Sequence, residues 1–288
     1  MIPVNFDYVA AKSVDEALEL LGRHGADAKL LAGGHSLIPL MKLRLALPSV
    51  LIDLGRIAEL RYVRDEGSEI AVGGMTTYYT LASSEVVRQK SPLLAEAAAA
   101  VGDVQVRNRG TIGGSLVHAD PASDMAAAVL ALDARMILVG PSGKREVPAG
   151  SFFVGMLQSA VAPNEVLTEI RVKKSQANSG AAYLKLAQPA SGFALVGVAA
   201  RVTFTGTKCS EIAVAVTGVA PKPFRAASVE ARLRGSSLDA ETLALACADV
   251  AEGVEALSDI HASAEYRKAV ASVYARRALE TARTRARA

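Results

Sequence analysis

The hydrophobic pattern opens with a short strand, Phe6 to Ala10, and then changes period. From Val14 onward apolar residues fall at Val14, Ala17, Leu18 and Leu21, the i, i+3, i+4 and i+7 positions of one helix face. Ser13 and Glu16 form a capping box ahead of it, in which hydroxyl and carboxylate satisfy each other's orphan backbone donors, and Gly25 stops the helix. Lys29 to Ala32 returns as a strand. Strand, helix, strand predicts a parallel βαβ unit, and the turn after its second strand lies at the carboxyl end of the sheet, where α/β folds place ligands. That turn reads Gly33-Gly34-His35-Ser36.

The double glycine recurs at Gly73-Gly74 and Gly113-Gly114, each time after apolar residues and shortly before a hydroxyl side chain. The segments between differ: a proline-bounded apolar stretch, Pro48 to Leu54, follows the first pair, and an Ala-rich helix, Pro92 to Val101, precedes the third. A propeller or solenoid repeat is therefore rejected. Pro121-Ala122-Ser123-Asp124 opens a helix with two capping candidates. Arg135 to Val139 then turns through Gly140-Pro141-Ser142-Gly143 into Lys144 to Val147 as a hairpin. Val166 to Val172 is a further strand, and the polar stretch Lys173 to Gly180 is the most linker-like in the chain. We divide the chain there, into 1–177 and 178–288. Strands at Ala181 to Ala187, Ala194 to Phe204 and Glu211 to Ala220 follow, then Ala-rich helical segments, the last from Ala264 to Arg283. Strands followed by helices make the second part α+β.

Composition narrows the function classes. At 288 residues and 51% hydrophobic content the chain can build one large or two ordinary cored domains. Of the net charge of +3, the five arginines at 276, 277, 283, 285 and 287 against Glu280 supply more than the whole, so the body is near neutral and no nucleic-acid partner is expected. Cys209 and Cys247 lack the spacing of a zinc or iron–sulfur site, and His118 and Asp120 lack a third ligand, so no metal is expected on this chain. With no leader pattern and no apolar run long enough to span a bilayer, the expected compartment is the cytoplasm, with attachment to the inner membrane face as the variant. Arg107 and Arg109 are read either as neighbours of a cofactor or as salt-bridged surface.

Glycine pairs after strands expose backbone N–H donors that bind anions. With Ser36, Thr111 and Ser115, the first and third pairs could hold both phosphates of a dinucleotide, although neither matches GxGxxG or GxxxxGK[ST] and a plain tight turn remains open.

Two longer stretches carry a resemblance. AGGHSLIPLMKLR (Ala32 to Arg44) followed by LIDL, and QVRNRGTIGGSLVHADPASD (Gln105 to Asp124), resemble the FAD-binding medium subunit of the molybdenum hydroxylases, in the branch of the aerobic carbon monoxide dehydrogenases. The likeness runs the whole length. It implies an α+β fold: a two-part FAD-binding domain, with a small βαβ part and a larger mixed or antiparallel sheet part, then a smaller α+β domain. It implies non-covalent FAD, with Ala32, Gly33, Gly34, His35 and Ser36 and also Thr111, Ile112, Gly113, Gly114 and Ser115 around the pyrophosphate. Asp124 would reach the sugar–phosphate side, backbone near Leu167 would hold the adenine end, and Lys185 would lie near the flavin.

The branch resembled commonly shows a KRKxGD-aromatic pattern where this chain reads AQPASGF, Ala187 to Phe193. Phe193 still supplies an aromatic face for the isoalloxazine but no hydrogen bond, and the missing charges weaken carbon monoxide as the substrate more than they weaken FAD.

The implied role is electron transfer. A large subunit with a molybdenum cofactor oxidises a small substrate, a small subunit with [2Fe–2S] clusters relays electrons, and FAD on this chain passes them to an acceptor such as a quinone, within a dimer of heterotrimers. No catalytic residue is expected on this chain. Alternatives are the flavin subunit of an aldehyde or N-heterocycle dehydrogenase, a self-sufficient flavin oxidoreductase, and a non-enzymatic nucleotide-binding subunit.

Overall fold

The computed structural model describes residues 1–287. Its first part contains β1 (Asp7–Ala10), α1 (Val14–His24), β2 (Ala28–Leu31), α2 (Leu37–Lys42) and β3 (Val50–Asp53). Val14, Ala17 and Leu21 of α1 are buried as the period requires; Leu20 joins them and Leu18 is only partly buried. The capping is reciprocal but shifted. Ser13 Oγ accepts the Glu16 N–H at 3.1 Å, whereas the Glu16 carboxylate accepts the Lys12 N–H at 2.7 Å, because the chain enters fully extended at Ser13 and leaves the Lys12 amide within reach. The sheet is parallel in the order β1-β3-β2, so the two strands of the expected βαβ unit do not pair with each other. β3 takes the centre because Val50, Leu51 and Ile52 are apolar towards both faces and all buried.

The second part starts with β4 (Val63–Glu66) and β5 (Glu69–Gly73). A run of helices follows: α3 (Tyr78–Ser83), α4 (Glu85–Lys90), α5 (Pro92–Ala100), α6 (Val104–Arg109), α7 (Ile112–His118) and α8 (Asp124–Ala131). It ends with β6 (Arg135–Gly140), β7 (Gly143–Pro148), α9 (Ala149–Phe152), β8 (Phe153–Gly155), β9 (Gln158–Ser159) and β10 (Val166–Lys173). The large sheet is antiparallel throughout, in the order β4-β5-β10-β6-β7. The third glycine pair does not follow a strand: Gly113 and Gly114 form the first turn of α7, whose cap Thr111 accepts the Gly114 N–H on Oγ1 at 3.1 Å. Glycine's poor helix propensity hid this helix from the sequence pattern.

The third part is an antiparallel sheet of β11 (Ser179–Ala187), β12 (Ala194–Thr205), β13 (Lys208–Thr217) and β14 (Phe224–Arg225), followed by α10 (Ala227–Leu233), α11 (Ala240–Cys247) and α12 (Ala264–Ala286). β13 starts three residues before the expected strand and ends at Thr217, because Gly206 and Thr207 turn the chain straight back from β12. β12 is covered on both faces. Val196, Val198, Ala200 and Val202 pack with Ala271, Ala275 and Ala278 of α12, while the alternate Ala199 shares a core with α8. α8 is buried along its whole length, set between α5 and the β12–β13 face, and its short alanine side chains permit that double packing. The α+β order expected from the sequence is the order observed. Among the described residues no helix is long and apolar enough to cross a membrane.

Candidate functional site

A cavity of about 500 Å³ opens where the β2–α2 turn, α7 and the start of β10 meet the hairpin between β11 and β12. Ala32, Gly33, Gly34, His35, Ser36, Thr111, Gly113, Gly114, Ser115, Asp124, Leu167 and Phe193 all line it. Two other residues singled out from the sequence do not. Ile112 is fully buried in the core beneath α7, as the first apolar residue of an amphipathic turn must be. Lys185 stands behind the wall rather than on it: its ammonium lies 3.0 Å from the Asp124 carboxylate and donates to Gly192 O at 2.7 Å.

The glycines do two jobs, and the first is steric. A Cβ on Gly33 would fall on the Arg109 carbonyl oxygen, well inside van der Waals contact, so the first glycine turn and the end of α6 can meet only backbone to backbone. The other two pairs meet in the same way. A Cβ on Gly113 would lie 2.5 Å from Gly74 O, and the Gly113 N–H donates to that oxygen at 2.9 Å, while the Gly74 N–H donates to Thr168 O at 2.8 Å. The glycine pairs, which form no sequence repeat, thus let three distant segments pack closely, with Gly33 against Arg109 and Gly110, Gly114 beside Ala32, and Gly113 against Gly74.

The second job is donation, and only one turn can perform it. Among the described residues the backbone N–H groups of Gly33, Gly34, His35, Ser36 and Leu37 donate to nothing within the chain, and Gly34 adopts φ +79°. Five successive free donors beside a cavity form an anion-binding nest. At the third glycine pair the donors are already spent: Ile112 N–H on Thr76 O, Gly113 on Gly74 O, Gly114 on Thr111 Oγ1 and Ser115 on Thr111 O. What that segment can offer an anion is the hydroxyls of Thr111 and Ser115.

Behind the far wall sits a buried polar cluster. The Tyr183 hydroxyl donates to Asp124 Oδ1 at 2.5 Å, and Lys185 approaches both carboxylate oxygens. Burial pushes the Asp124 carboxyl above its ordinary range against the opposing pull of Lys185 and Tyr183, and burial raises Tyr183 further still. Through Gly192 O the same lysine fixes the hairpin that carries Phe193, which is 51% exposed at the cavity edge. Gln188 closes this hairpin, its side-chain oxygen accepting from Ser191 N at 2.6 Å and Ser191 Oγ at 3.1 Å. The altered segment is thus an ordered turn, held without the charges the resemblance led one to expect.

Sequence reasoning missed Tyr78, on the cavity wall, whose hydroxyl burial pushes up to about 12. Its helix α3 has six residues, too few for a period to show, and the capping Thr77 is its one trace. Arg107, expected either beside a cofactor or in a surface salt bridge, makes no salt bridge among the described residues. It donates to the carbonyls of Val101 and Gly102, at 3.0 and 2.9 Å, and so shapes the turn that brings Gly102 to the cavity.

Residues 4–174 match the family model described as the FAD binding domain in molybdopterin dehydrogenase, and residues 181–282 match the CO dehydrogenase flavoprotein C-terminal domain. The chain belongs to this family. It is 46% identical over 283 residues to the carbon monoxide dehydrogenase medium chain of Hydrogenophaga pseudoflava, covering 98% of each chain. It is 38% identical over 288 residues to subunit alpha of the 6-hydroxypseudooxynicotine dehydrogenase complex of Paenarthrobacter nicotinovorans, covering 100% of this chain and 97% of that one. The solved structure of carbon monoxide dehydrogenase from Hydrogenophaga pseudoflava that lacks the Mo-pyranopterin moiety superposes with a TM-score of 0.96 at 47% identity, covering 99% of both chains. As a member of this FAD-binding family the chain is an oxidoreductase subunit. Its residues fit the cofactor: the nest of free donors suits a pyrophosphate, and Leu37, Leu40 and Val106 supply apolar wall for ring systems.

Proposed function

We infer that this chain is the electron-transfer subunit of a molybdenum-containing dehydrogenase. It takes electrons from [2Fe–2S] clusters of a small partner and passes them to an external acceptor such as a quinone, in a dimer of heterotrimers in the cytoplasm or at the inner membrane face. The large partner, with the molybdenum cofactor, oxidises the small substrate. Carbon monoxide leads as that substrate on the likeness to the medium chain from Hydrogenophaga pseudoflava, and the likeness to a 6-hydroxypseudooxynicotine dehydrogenase subunit favours an N-heterocycle-derived one as the second reading.

The observation that carries the reading is the row of free donors from Gly33 to Leu37 beside the cavity. These N–H groups, with the hydroxyls of Ser36, Thr111 and Ser115, bind and orient the FAD pyrophosphate. The glycines that bring their segments together set its path, and His35, exposed and without a partner among the described residues, adds a side-chain donor. Asp124 holds the sugar–phosphate side, backbone at Leu167 the adenine end, Phe193 covers the isoalloxazine and Lys185 sets the charge behind it. Bound non-covalently, FAD supplies a store that fills with single electrons and empties in pairs. The cofactor domain ends at 177, and the region from 178 onward supplies the Lys185 and Phe193 side of the site.

Two of the cavity's carboxylates also favour this role over substrate chemistry. Asp124 is held by Tyr183 and Lys185, and Glu165 by Arg145 at 2.6 and 2.7 Å, so neither stands free as a base. The test is native purification from the source cells, with an absorption spectrum and flavin, iron and molybdenum contents. We expect one FAD per chain, with iron and molybdenum on stoichiometric partners. A yellow chain without partners that turns over an organic substrate alone would replace this reading with a self-sufficient flavoenzyme. A colourless chain would overturn the FAD site.

A further inference from the structure

A buried tyrosine needs a reason to keep its hydroxyl, since phenylalanine fills nearly the same space with no polar atom to satisfy. Tyr183 of β11 is buried in one cluster with Ala199, Ala213 and Ala215. It is held at both ends. Its backbone N–H donates to Glu96 of α5 at 3.1 Å, and Glu96 is itself paired with Arg285 of α12 at 2.6 Å. Its hydroxyl reaches Asp124, the first residue of α8. The neighbouring strand is shaped around that hydroxyl. A Cβ on Gly197, inside β12, would fall on the Tyr183 oxygen, well inside van der Waals contact, and would lie 2.8 Å from Thr217 Cγ2. Glycine weakens a strand interior and marks a close approach there. Here it makes the notch in which the phenol oxygen meets the carboxylate.

Tyr183 and Lys185 stand two residues apart on one face of β11, so both reach the same carboxylate. A buried ion pair holds only where further hydrogen bonds satisfy its charges. Lys185 has Gly192 O for this, and Asp124 has Tyr183. The other charged groups around α8 are placed differently. Arg201 of β12 and Arg225 of β14 bind Ala131 O, Leu130 O and the Asp133 carboxylate at its far end. On the cavity side, α3 brings Tyr78, and α7 with the loop after it brings His118 and Asp120. We propose that Tyr183 is a positioning residue for the flavin: its hydroxyl holds Asp124 as the carboxylate that neutralises Lys185, so that the cavity wall at Lys185 carries no net charge. The inference rests on the functional reading above, in which FAD fills the cavity and Lys185 lies near the flavin. Burial pushes the Asp124 carboxyl above its ordinary range, and Tyr183 and Lys185 are the side chains that pull it back. Without the hydroxyl the pair takes up a proton at a higher pH, and Lys185 then faces the flavin uncompensated. A positive charge there favours reduced flavin.

The test is a redox titration of the flavin in the native protein, purified from the source cells, at a series of pH values, with FAD counted per chain. Tyr183→Phe keeps the ring and its packing and is expected to keep FAD. Its flavin should match the wild type at the alkaline end, where the pair is neutral in both. On the acid side it should be easier to reduce, by about tenfold in the ratio of reduced to oxidised flavin at a given potential, the order of one unit charge acting through an effective dielectric of about 20. Gly197→Ala, which displaces the same hydroxyl from the neighbouring strand, shifts the flavin in the same direction. In an Asp124→Asn background, where the side chain cannot titrate, Tyr183→Phe adds nothing. A Tyr183→Phe curve that coincides with the wild type at every pH would overturn the proposal. So would a curve offset equally at every pH, or loss of FAD, since Tyr183 would then serve only the packing. A wild-type protein without FAD would overturn the functional reading and this inference with it.

Discussion

At Gly33 a single methyl group separates a closed site from an open one. Gly33→Ala places its Cβ on the Arg109 carbonyl, which is backbone and cannot swing aside. We expect a loss of roughly 1–3 kcal/mol from the overpacking, together with FAD content well below that of the wild type. Gly22→Ala is the control. It meets nothing within 4 Å on the exposed face of α1, and replacing glycine in a helix interior is expected to stabilise by up to about 1 kcal/mol. Thermal melts with flavin quantitation separate the two, and equal behaviour of the variants would remove the steric role. The sequence showed that the Gly33-Gly34 backbone had to be bare but not why. It suggested a phosphate, and the phosphate donors are there, yet the space beside Gly33 is filled by a chain segment from the end of α6. Such long-range contacts leave no local trace.

Among the elements, α12 acts on the site from a distance, since none of its residues lines the cavity. Arg267, in its first turn and only 4% exposed, donates to Leu195 O and Gly218 O at 2.7 Å each and pairs with Asp259 at 2.7 Å. The Gly218 N–H in turn donates to Pro121 O at 2.7 Å, and Thr217 Oγ1 donates to the same oxygen at 2.5 Å. A helix near the end of the chain thus braces both the exit of the Phe193 hairpin and the loop that leads into Asp124. Arg267→Met strands two buried carbonyls at roughly 1–3 kcal/mol each. It should speed FAD release several-fold, with Arg267→Lys intermediate. A stopped-flow release rate equal to the wild type's would show that the brace is structural only. Long elements with clear periods, such as α1, α5, β12 and α12, were legible in the sequence. α3, α4 and α6, six residues each, were not, because a turn and a half carries no period and their caps at Thr77, Ser84 and Asp103 stand alone as signals.

Across the whole molecule the polar stretch Lys173 to Gly180 reads as a linker, yet the cores on its two sides are not separate. Ala181, Tyr183, Ala199, Ala213 and Ala215 of the third sheet belong to one buried cluster with Met125 to Ala131 of α8 and with Met136, Leu138 and Ile170 of the large sheet. We therefore expect a single cooperative transition in calorimetry, matched by circular dichroism and flavin fluorescence, and no stable fold for 178–288 alone. Two resolved peaks would contradict this. Alanine permits the merger: an all-buried α8 of small side chains lets two sheets share a helix, and composition alone could not distinguish that from an ordinary Ala-rich surface helix.

The close packing that the glycine pairs permit also sets a timetable. The cavity does not exist until the β2–α2 turn has closed on the end of α6, and until Gly74 lies between α7 and β10, contacts between residues far apart in sequence that are slow to form. Nothing in a partly folded chain presents the five free donors beside a wall. The cofactor can therefore be taken up only after the backbone has finished its long-range closures, and it then stabilises the finished fold by mass action without helping to nucleate it. In cells short of flavin, this chain would accumulate as a folded protein waiting for its cofactor, its rate of maturation set by the supply of FAD.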